Sequence, residues 1–289
     1  MKLMLKFECT PSSSEVSYIM PILKPKIRSV NHCWDHNDFR KLTIMTVWRK
    51  IQEAFCAQMM LKEEEDFVDQ KDYQGAFKAH HSTIGRIFIV LTMIFPAFVS
   101  NFALIVLVLV DFSQYFDTIR RELLGLKLQE NGYPEKLQRL NWRTMTNHRV
   151  RVLTKNRVSR PLKLKVGMAQ GSSWSPKKAN VFADKIATAG ADVKTNVPKI
   201  LERRDNTICY ADDLLSAALK MATAQNLFEK IEKASLEDGA DISYKKTILK
   251  VLCLDKTRQR KNTWHLVGQK GCIYEDIEQF VLYLGFWIR

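Results

Sequence analysis

An apolar stretch without any charged residue, residues 87–110, constrains this chain most, because most of it must be buried in whatever structure forms. Its length alone would suit a helix that crosses a membrane. Pro96 in its interior and the polar pair at residues 100–101 argue against one continuous helix. The final run, residues 104–110, is rich in β-branched residues and is typical of a central strand buried on both faces. We therefore predict a strand there, with membrane anchoring through residues 87–110 as the alternative.

An acid follows this predicted strand directly, since Asp111 comes immediately after residues 104–110. Core packing gives no reason for a carboxylate at the end of a buried strand. Ligand sites, in contrast, favour the carboxyl ends of strands. The position of Asp111 therefore predicts a carboxylate with a function.

Two further acids, Asp212 and Asp213, lie within residues 208–214 (ICYADDL), between apolar neighbours. Adjacent side chains of a regular strand point to opposite faces, so two acids with one task belong on the turn of a hairpin. Two carboxylates in an apolar setting would repel each other, and one would tend to protonate unless a cation neutralises them. Carboxylate oxygens are the ligands that Mg²⁺ prefers. The segment therefore predicts either a metal-binding hairpin tip or a solvated turn without a function.

Composition narrows the class of protein and of partner. The chain has 289 residues, of which 46% are hydrophobic, enough for a full core and too many for a disordered or collagen-like chain. Lys and Arg exceed Asp and Glu by 45 to 31, and the net charge of +14 favours a polyanion as partner. An anionic membrane surface or a ribosome would satisfy the same charge. The six cysteines have no paired spacing, so we interpret them as reduced thiols of an intracellular protein.

Two segments have the periodicity of amphipathic helices, residues 46–60 and residues 221–236. The residues predicted to face the core are Val47, Ile51, Phe55 and Met59 in the first helix, and Leu227, Phe228 and Ile231 in the second. Ser82 or Thr83 is a suitable N-cap for a further helix that leads into the apolar stretch.

Residues 149–166 alternate between apolar and basic side chains on either side of a polar turn at residues 155–157. This pattern predicts a hairpin with one apolar face and one strongly basic face. The basic face is either the solvated side of the strands or a surface that follows a phosphate backbone. The sequence favours neither interpretation over the other.

Five short motifs follow one another along the chain. They are DFSQYFD at 111–117, GMAQGSSWSP at 167–176, YADD at 210–213, the pair Lys246 and Thr247 after a short strand, and YLG at 283–285. In order and spacing they resemble the motifs of reverse transcriptases, most of all those of non-LTR retrotransposons and more distantly those of group II intron maturases. Upstream, PILKPK at 21–26, DFRKLTI at 38–44 and QGAFKAHHST at 74–83 resemble segments of the family's fingers. The resemblance runs from residue 18 to the last residue.

The resemblance implies an α+β fold of the right-hand polymerase type, in which an antiparallel palm sheet packs against helices. The expected reverse transcriptase domain is residues 18–289, with fingers over 18–95 and a palm over 96–289 that includes the basic hairpin, while residues 1–17 are unassigned. No segment before the domain resembles an endonuclease and none after YLG resembles a thumb. We therefore expect a fragment of a retroelement, either truncated or decayed.

The resemblance also implies a catalytic site. Asp111 and Asp212 match the family's principal metal ligands and Asp213 supports them, so the three would hold two Mg²⁺ ions, or Mn²⁺, about 4 Å apart. One ion would activate the 3′-hydroxyl of a DNA primer and the other would stabilise the leaving pyrophosphate. Lys246 matches the proton donor to pyrophosphate. The implied activity is RNA-templated DNA synthesis from deoxynucleoside triphosphates.

The resemblance assigns the binding of substrates to the remaining site residues. Phe116 matches an aromatic residue that would clash with a ribose 2′-hydroxyl and so select deoxynucleotides. The others are Lys24 and Arg40 for the incoming triphosphate, Gln170 and Gly171 for the templating pair, and Tyr283, Leu284 and Gly285 for the primer end. Each of them also has an ordinary explanation as a surface charge, a turn residue or a core residue.

Several positions depart from the family pattern. Lys177 and Lys178 occur where the family has large apolar residues, and burying an unpaired charge is expensive. We therefore expect either an open helix face or a loosened fold at these lysines. The smaller departures are Lys41, Ala76 and Lys78 in place of Pro, Gly and Arg. These departures leave a second interpretation open, in which the chain is an inactive remnant that acts only as a basic RNA- or DNA-binding domain.

Overall fold

The structure is a computed structural model that describes residues 14–24, 35, 38–66, 73–78, 80–99, 104–198, 206–253, 264–275, 281–284 and 286–288. The chain forms two compact units, each built from two segments: unit 1 contains residues 1–70 and 119–181, and unit 2 contains residues 71–118 and 182–289. The predicted division into fingers and palm instead has a single boundary at residue 95, and it stays a prediction.

Unit 1 contains a four-stranded sheet. Its strands are β1 (Val16–Leu23), β2 (Phe39–Ile44), β4 (Arg149–Val152) and β5 (Leu162–Lys163), in the spatial order β2-β1-β4-β5. Strand β1 pairs antiparallel with β2 and parallel with β4. The helices assigned wholly to this unit are Val47–Asp66, Arg121–Glu130 and Glu135–Thr146, and the unit boundary falls within the helix Ser175–Ala191.

The predicted basic hairpin is confirmed, because β4 and β5 pair antiparallel. Arg149 lies opposite Lys163, and both residues are exposed. Val150 lies opposite Leu162; Val150 is buried, whereas Leu162 is 45% exposed, so the apolar face of the hairpin contacts the core only in part.

The helix Val47–Asp66 confirms the predicted element, but the predicted buried face is wrong. Val47 and Ile51 are 70% and 44% exposed. The residues that are buried instead are Arg49, Gln52, Glu53, Cys56 and Met60. This face tolerates charge because Arg49 and Glu53, one helical turn apart, form an ion pair with Nε 2.6 Å from Oε1.

The expectation of an open helix face at Lys177 and Lys178 is also wrong, since both residues are buried. The Lys178 ammonium lies 4.5 Å from the centroid of the Trp174 ring, a cation–π contact. Burial lowers the pKa of Lys178 to about 8, and the Glu53 carboxylate opposes this shift. Glu53 also accepts a hydrogen bond from the Ser172 hydroxyl. We call Arg49, Glu53, Ser172, Trp174 and Lys178 the buried cluster.

Unit 2 is built on a four-stranded antiparallel sheet. Its strands are β3 (Leu104–Val110), β6 (Thr207–Tyr210), β7 (Asp213–Ala218) and β8 (Ile248–Cys253), in the spatial order β6-β7-β3-β8. The unit also has two antiparallel ribbons, β9 (His265–Gly268) with β10 (Gly271–Tyr274), and β11 (Val281–Tyr283) with β12 (Phe286–Ile288). The predicted strand at 104–110 is confirmed, and residues 105–110 are all buried between β7 and β8.

Helices pack against the unit 2 sheet. Residues Val90, Met93 and Ile94 of the helix Thr83–Val99 share a core with Ile105, Leu107 and Leu109 of β3. The helix Met221–Asp238 contacts β3 and β7, and its residues Leu227, Phe228 and Ile231 are fully buried, as predicted. Because alternate residues of β3 face opposite sides of the sheet, burial along the whole strand needs cover on both.

The apolar stretch at 87–110 is divided between the helix Thr83–Val99 and β3, and its break at residues 100–101 lies outside the part that the structure describes. Ser82 caps the helix as predicted, because its Oγ accepts a hydrogen bond from Gly85 N–H at 3.1 Å. The helix also has exposed apolar residues, namely Ile84, Phe88, Leu91 and Phe95. Among the described residues, no helix is both long and apolar enough to cross a membrane.

Candidate functional site

The two adjacent acids lie at the tip of the β6–β7 hairpin, as predicted. Strand β6 ends at Tyr210 and β7 begins at Asp213, and these two residues pair across the hairpin. Ala211 and Asp212 therefore form a two-residue turn. Ala211 has φ 59°, in the left-handed region that a residue with a Cβ atom rarely adopts. The turn needs support from outside the hairpin to hold this conformation.

The third acid lies beside this tip because of the strand register. Val110 pairs with Leu214 in the antiparallel β3–β7 ladder. Asp111, one residue after Val110, is therefore the neighbour of Asp213, one residue before Leu214. The sheet thus brings together two acids that are far apart in the sequence.

A loop at residues 243–247 holds Asp111 by its backbone and its side chain. Ser243 N–H donates a hydrogen bond to the Asp111 carbonyl at 2.8 Å, and Asp111 N–H donates to the Thr247 hydroxyl at 3.3 Å. Lys246 Nζ lies 3.3 Å from Asp111 Oδ1. The Lys246 side chain is 65% exposed, so this ion pair contributes little to stability. Lys246, which the resemblance matches to a proton donor for pyrophosphate, thus lies beside Asp111, and its role stays a prediction.

The carboxylates at the tip influence one another electrostatically. Burial, with the Asp212 and Asp111 carboxylates, raises the pKa of Asp213 from 3.8 to about 6. Burial also raises the pKa of Asp212, with a further contribution from Asp111, while a backbone hydrogen bond and Lys246 lower it. Asp212 and Asp213 are nevertheless exposed to solvent, so water at the tip screens part of the repulsion between the carboxylates. The charged forms are disfavoured, so a cation at this tip would be bound favourably.

The three acids are neighbours without forming one ligand cluster. Among the residues that the structure describes, no group of three or more His, Cys, Asp and Glu side chains is close enough to hold a metal ion. Three carboxylates repel one another, and the cation closest to Asp111 is Lys246. The donor set still fits a hard divalent cation chemically, because it consists of carboxylate oxygens, and the raised pKa values of Asp212 and Asp213 favour neutralisation by a cation.

A cleft of about 310 Å³ opens beside Asp111 and Asp213. Lys246, Tyr283 and Leu284 line it together with apolar residues at the ends of the strands. The Tyr283 hydroxyl is buried and has no hydrogen-bond partner within the described part of the chain. Tyr283 also packs in the hydrophobic core of unit 2, so it joins the wall of the cleft to that core. Two of the three predicted primer-end residues thus lie beside the acids, and Gly285 is outside the described ranges.

Phe116 lies in the short helix Tyr115–Thr118, which follows Asp111. Its ring packs edge-on against Tyr115 at a centroid distance of 5.8 Å. Tyr115 is buried, and burial, followed by Cys209 and Asp212, raises its pKa well above the usual range. Phe116 is not among the residues that line the cleft beside Asp111 and Asp213, and its role in selecting deoxynucleotides stays a prediction.

The other four predicted nucleotide-binding residues belong to unit 1 and lie around the β1–β2 pair. Arg40 pairs with Ile22, and Lys24 N–H donates a hydrogen bond to Asp38 just beyond β1. The carbonyl of Gln170 accepts a hydrogen bond from Thr43 of β2 at 2.8 Å.

Gly171 approaches the same strand closely. It has φ 101°, and a Cβ atom there would lie 3.1 Å from the Thr43 carbonyl oxygen. A glycine at this position satisfies both constraints, the backbone conformation and the lack of space. The four residues thus share one region of unit 1.

Gln74 is a site residue that the sequence did not reveal. Its segment joins the edge of β6, because Cys209 N–H donates to the Tyr73 carbonyl at 2.7 Å and Gly75 N–H donates to the Cys209 carbonyl at 2.9 Å. The Gln74 side chain contacts the hairpin turn at Ala211. The one signal in the sequence was that Gln74 begins QGAFKAHHST, a motif to which the resemblance attaches no role.

The chain is similar to a known protein family. A family model described as reverse transcriptase (RNA-dependent DNA polymerase) matches residues 22–288. None of the curated protein sequences matches the chain.

Solved structures of telomerase have a similar fold. Apo telomerase from Candida tropicalis, truncated from its C-terminal domain, aligns with a TM-score of 0.62 and 13% identity over 92% of this chain and 56% of that chain. Telomerase from Candida tropicalis in complex with a TWJ fragment of telomeric RNA gives a TM-score of 0.62 and 12% identity, over 84% of this chain and 42% of that one. The corresponding Candida albicans complex gives 0.54 and 12%, over 85% and 43%.

At this identity the likeness concerns the fold alone, and it confirms the predicted α+β fold with an antiparallel sheet packed against helices. This chain spans 56% or less of the length of these three telomerase structures.

Proposed function

This chain belongs to the reverse transcriptase (RNA-dependent DNA polymerase) family, and we propose that it carries out RNA-templated DNA synthesis at Asp111, Asp212 and Asp213. The main support is the β3–β7 register, which makes Asp111 the neighbour of the hairpin tip. Burial raises the pKa values of Asp212 and Asp213 and neighbouring carboxylates add to this shift, so a bound cation would offset both effects. A site of this kind suits a reaction in which cations and phosphates meet.

In this proposal the three carboxylates hold divalent cations, Mg²⁺ or Mn²⁺. When bound, such ions stabilise the negative charge that develops during nucleotidyl transfer. Asp213 must lose its proton to act as a ligand, and its pKa is about 6. Cation binding should therefore weaken as the pH falls through 6.

Lys246 has a separate task in the proposal, to donate a proton to the leaving pyrophosphate. Its ammonium lines the cleft and lies 3.3 Å from Asp111, so it can reach both an acid and a phosphate oxygen. Phe116 would exclude the ribose 2′-hydroxyl, and Tyr283 and Leu284, with Gly285, would contact the primer end. Lys24, Arg40, Gln170 and Gly171 are proposed to hold the nucleotide and the template.

Primer extension tests the proposal. The purified chain, a primed RNA template, deoxynucleotides and Mg²⁺ should give extension, and Asp212→Asn should reduce the single-turnover rate by about 10³-fold because a charged ligand is lost. Asp192→Asn is a matched control, since Asp192 is an exposed acid elsewhere in unit 2. Extension by Asp212→Asn at the rate of Asp192→Asn would contradict the proposal. Phe116→Ala should raise ribonucleotide incorporation by roughly 10- to 100-fold.

A second candidate function, nucleic-acid binding without catalysis, is favoured by the basic hairpin at residues 149–166. It contains seven basic residues and no acid: Arg149, Arg151, Lys155, Arg157, Arg160, Lys163 and Lys165. Within the described part of the chain, none of the seven forms a salt bridge. Like charges directly opposite on paired strands destabilise a sheet, so the Arg149–Lys163 pair is better explained by a polyanionic partner than by stability.

The salt dependence of RNA binding tests this second function. Replacing Arg149, Lys163 and Lys165 with Gln should lower the slope of log K against log salt by about 2, because each phosphate contact contributes about 0.7 for a single strand. The control makes the same change to Gln at three other exposed lysines, Lys220, the N-cap of the helix Met221–Asp238, and Lys230 and Lys233 within that helix. Equal slopes for the two triple variants would show that the hairpin is not part of the RNA-binding surface.

Binding and catalysis can be separated with Asp212→Asn. If the chain binds RNA without catalysis, the wild type should extend no primer and Asp212→Asn should keep the RNA affinity; loss of binding on this change alone would count against the second function. The RNA in the Candida telomerase complexes makes RNA the first ligand to test.

We also propose an evolutionary origin and a cellular compartment for the chain. The origin in a non-LTR retrotransposon rests on the order of the motifs along the chain. A reducing, intracellular compartment is favoured by four free thiols in the described residues, Cys56, Cys209, Cys253 and Cys272.

A further inference from the structure

We infer that Gln74 is a positioning residue that holds the hairpin turn carrying Asp212 and Asp213, an inference that rests on the proposed function for its catalytic consequence. The Gln74 side-chain amide makes two hydrogen bonds to one residue of the turn. Gln74 Oε1 accepts from Ala211 N–H at 3.0 Å, and Gln74 Nε2 donates to the Ala211 carbonyl at 3.2 Å. Both backbone polar groups of Ala211 are thereby satisfied by one side chain.

This pair of hydrogen bonds acts at a residue of the hairpin whose backbone conformation is unfavourable. Ala211 has a positive φ, a conformation that alanine rarely adopts unless the surrounding structure enforces it. Asp212 follows Ala211 directly, so the direction of the Ala211 carbonyl and the position of Asp212 depend on the same backbone torsions. A turn released from Gln74 would move Asp212 relative to Asp111.

The Gln74 side chain is itself fixed in place. Gln74 is 6% exposed, and its Oε1 accepts a second hydrogen bond from Ala76 N–H at 3.0 Å. The neighbouring Gly75 has no room for a side chain, because a Cβ atom there would overlap the buried Arg86 guanidinium. The segment is therefore held on both sides of Gln74, by β6 and by Arg86.

Only a side-chain amide can make this contact, since it presents a donor and an acceptor side by side, like the peptide group. A methionine at this position would have nearly the same length and volume but neither hydrogen bond. Gln74→Met therefore removes the polar contact with little change in packing.

The chain provides a matched control in Gln225. Its amide binds Val267 in the same way, with Nε2 donating to the Val267 carbonyl at 2.6 Å and Val267 N–H donating to Oε1 at 2.8 Å. Val267 belongs to the β9–β10 ribbon, and neither residue lines the cleft. Gln225→Met therefore removes an equivalent contact from a part of unit 2 that carries none of the three acids.

The test combines two measurements that do not need activity with one that does. Gln74→Met should speed the amide hydrogen exchange of residues 207–214 by at least about tenfold, because an unbonded turn opens more easily. It should weaken Mn²⁺ binding, measured by the electron paramagnetic resonance of free Mn²⁺. It should lower kcat about 10²-fold while the KM for deoxynucleotides changes less than about threefold, as a misplaced catalytic group does. Gln225→Met should leave all three unchanged.

Ala211→Gly provides a rescue. Glycine adopts a positive φ without strain, so a turn with glycine at position 211 should depend less on the hydrogen bonds from Gln74. The double variant Gln74→Met/Ala211→Gly should be faster in single turnover than Gln74→Met alone, by about tenfold. If Gln74→Met does not fold, the same comparison is made between the double variant and Ala211→Gly, with the same three measurements.

The outcomes separate the two claims. If the wild type extends no primer, the proposed function fails, and amide exchange and Mn²⁺ binding still decide on Gln74. If the wild type is active and Gln74→Met matches Gln225→Met in exchange, Mn²⁺ binding and kcat, the role of Gln74 is wrong.

Discussion

The buried cluster of unit 1 and the acids of unit 2 arrange charge in opposite ways. In the buried cluster, Glu53 lies among cations: it pairs with Arg49 and opposes the lowering of the Lys178 pKa that burial causes. At the hairpin tip, Asp212 and Asp213 adjoin another acid, Asp111, and burial together with the neighbouring carboxylates raises their pKa values. Buried charges of opposite sign neutralise each other within the protein, whereas neighbouring charges of the same sign need a counter-ion from solution.

Two lysines illustrate the difference. Lys178 is 3% exposed, contacts an aromatic ring and has a pKa lowered by burial to about 8. Lys246 is 65% exposed beside Asp111 and lines the cleft. The first is embedded in the packing of unit 1, and the second is free to meet a substrate.

Removing the carboxylate of the buried cluster should have the largest effect on stability. Glu53→Ala leaves Arg49 and Lys178 buried without an acid, so we expect the free energy of unfolding to fall by about 3 to 5 kcal/mol. Urea denaturation followed by circular dichroism measures it. Glu237→Ala, which removes the exposed partner of Lys185, is the control and should change little. A similar loss in both variants would show that the buried cluster is no better coupled than a surface pair.

Removing the buried ammonium should have a smaller effect that depends on pH. The pKa of Lys178 is about 8 in the folded protein and 10.5 in the unfolded chain. The folded state therefore binds fewer protons between these values, and the contribution of Lys178 to stability rises with pH through this window. Lys178→Met should be more stable than wild type by about 2 kcal/mol at pH 7, and the difference should shrink toward pH 10. A difference that is independent of pH would contradict the lowered pKa.

Removing an acid from the tip should stabilise the protein slightly while it removes function. The pKa of Asp213 is about 6 folded and 3.8 unfolded, so its favourable contribution is present below pH 3.8 and is lost as the pH rises through 6. Without divalent cations, Asp213→Asn should be more stable at pH 7.5 by about 1 kcal/mol, a value reduced because solvent screens the exposed residue. The melting temperatures of the two proteins should converge near pH 4. A less stable variant at pH 7.5 would mean that the acids are already neutralised within the chain.

Local sequence patterns were sufficient to predict the strands that carry the site. The β-branched run before Asp111 predicted a buried strand, and the pair Asp212 and Asp213 between apolar residues predicted a turn. The motif order then related both to Lys246. These features depend on neighbours along the chain, which a sequence displays directly.

The contacts that support the site could not be predicted in this way. Gln74 and Ala211 are 137 residues apart, and their hydrogen bonds depend on how the sheet edge is completed. The buried face of the helix Val47–Asp66 was missed because hydrophobic periodicity assumes that charged residues face solvent. Arg49 and Glu53 neutralise each other, and only the tertiary structure shows that they lie beside Lys178.

Single-turnover addition of one deoxynucleotide to a primed RNA, measured for Asp111→Asn and Lys178→Met, tests most directly whether the uncompensated acids perform the chemistry. We expect Asp111→Asn to keep the wild-type melting temperature within a few degrees and to lose about 10³-fold in rate, because it removes a charge that the reaction needs. Lys178→Met should change stability and retain the rate within about tenfold. Nucleotide addition by Asp111→Asn at the wild-type rate would contradict the account.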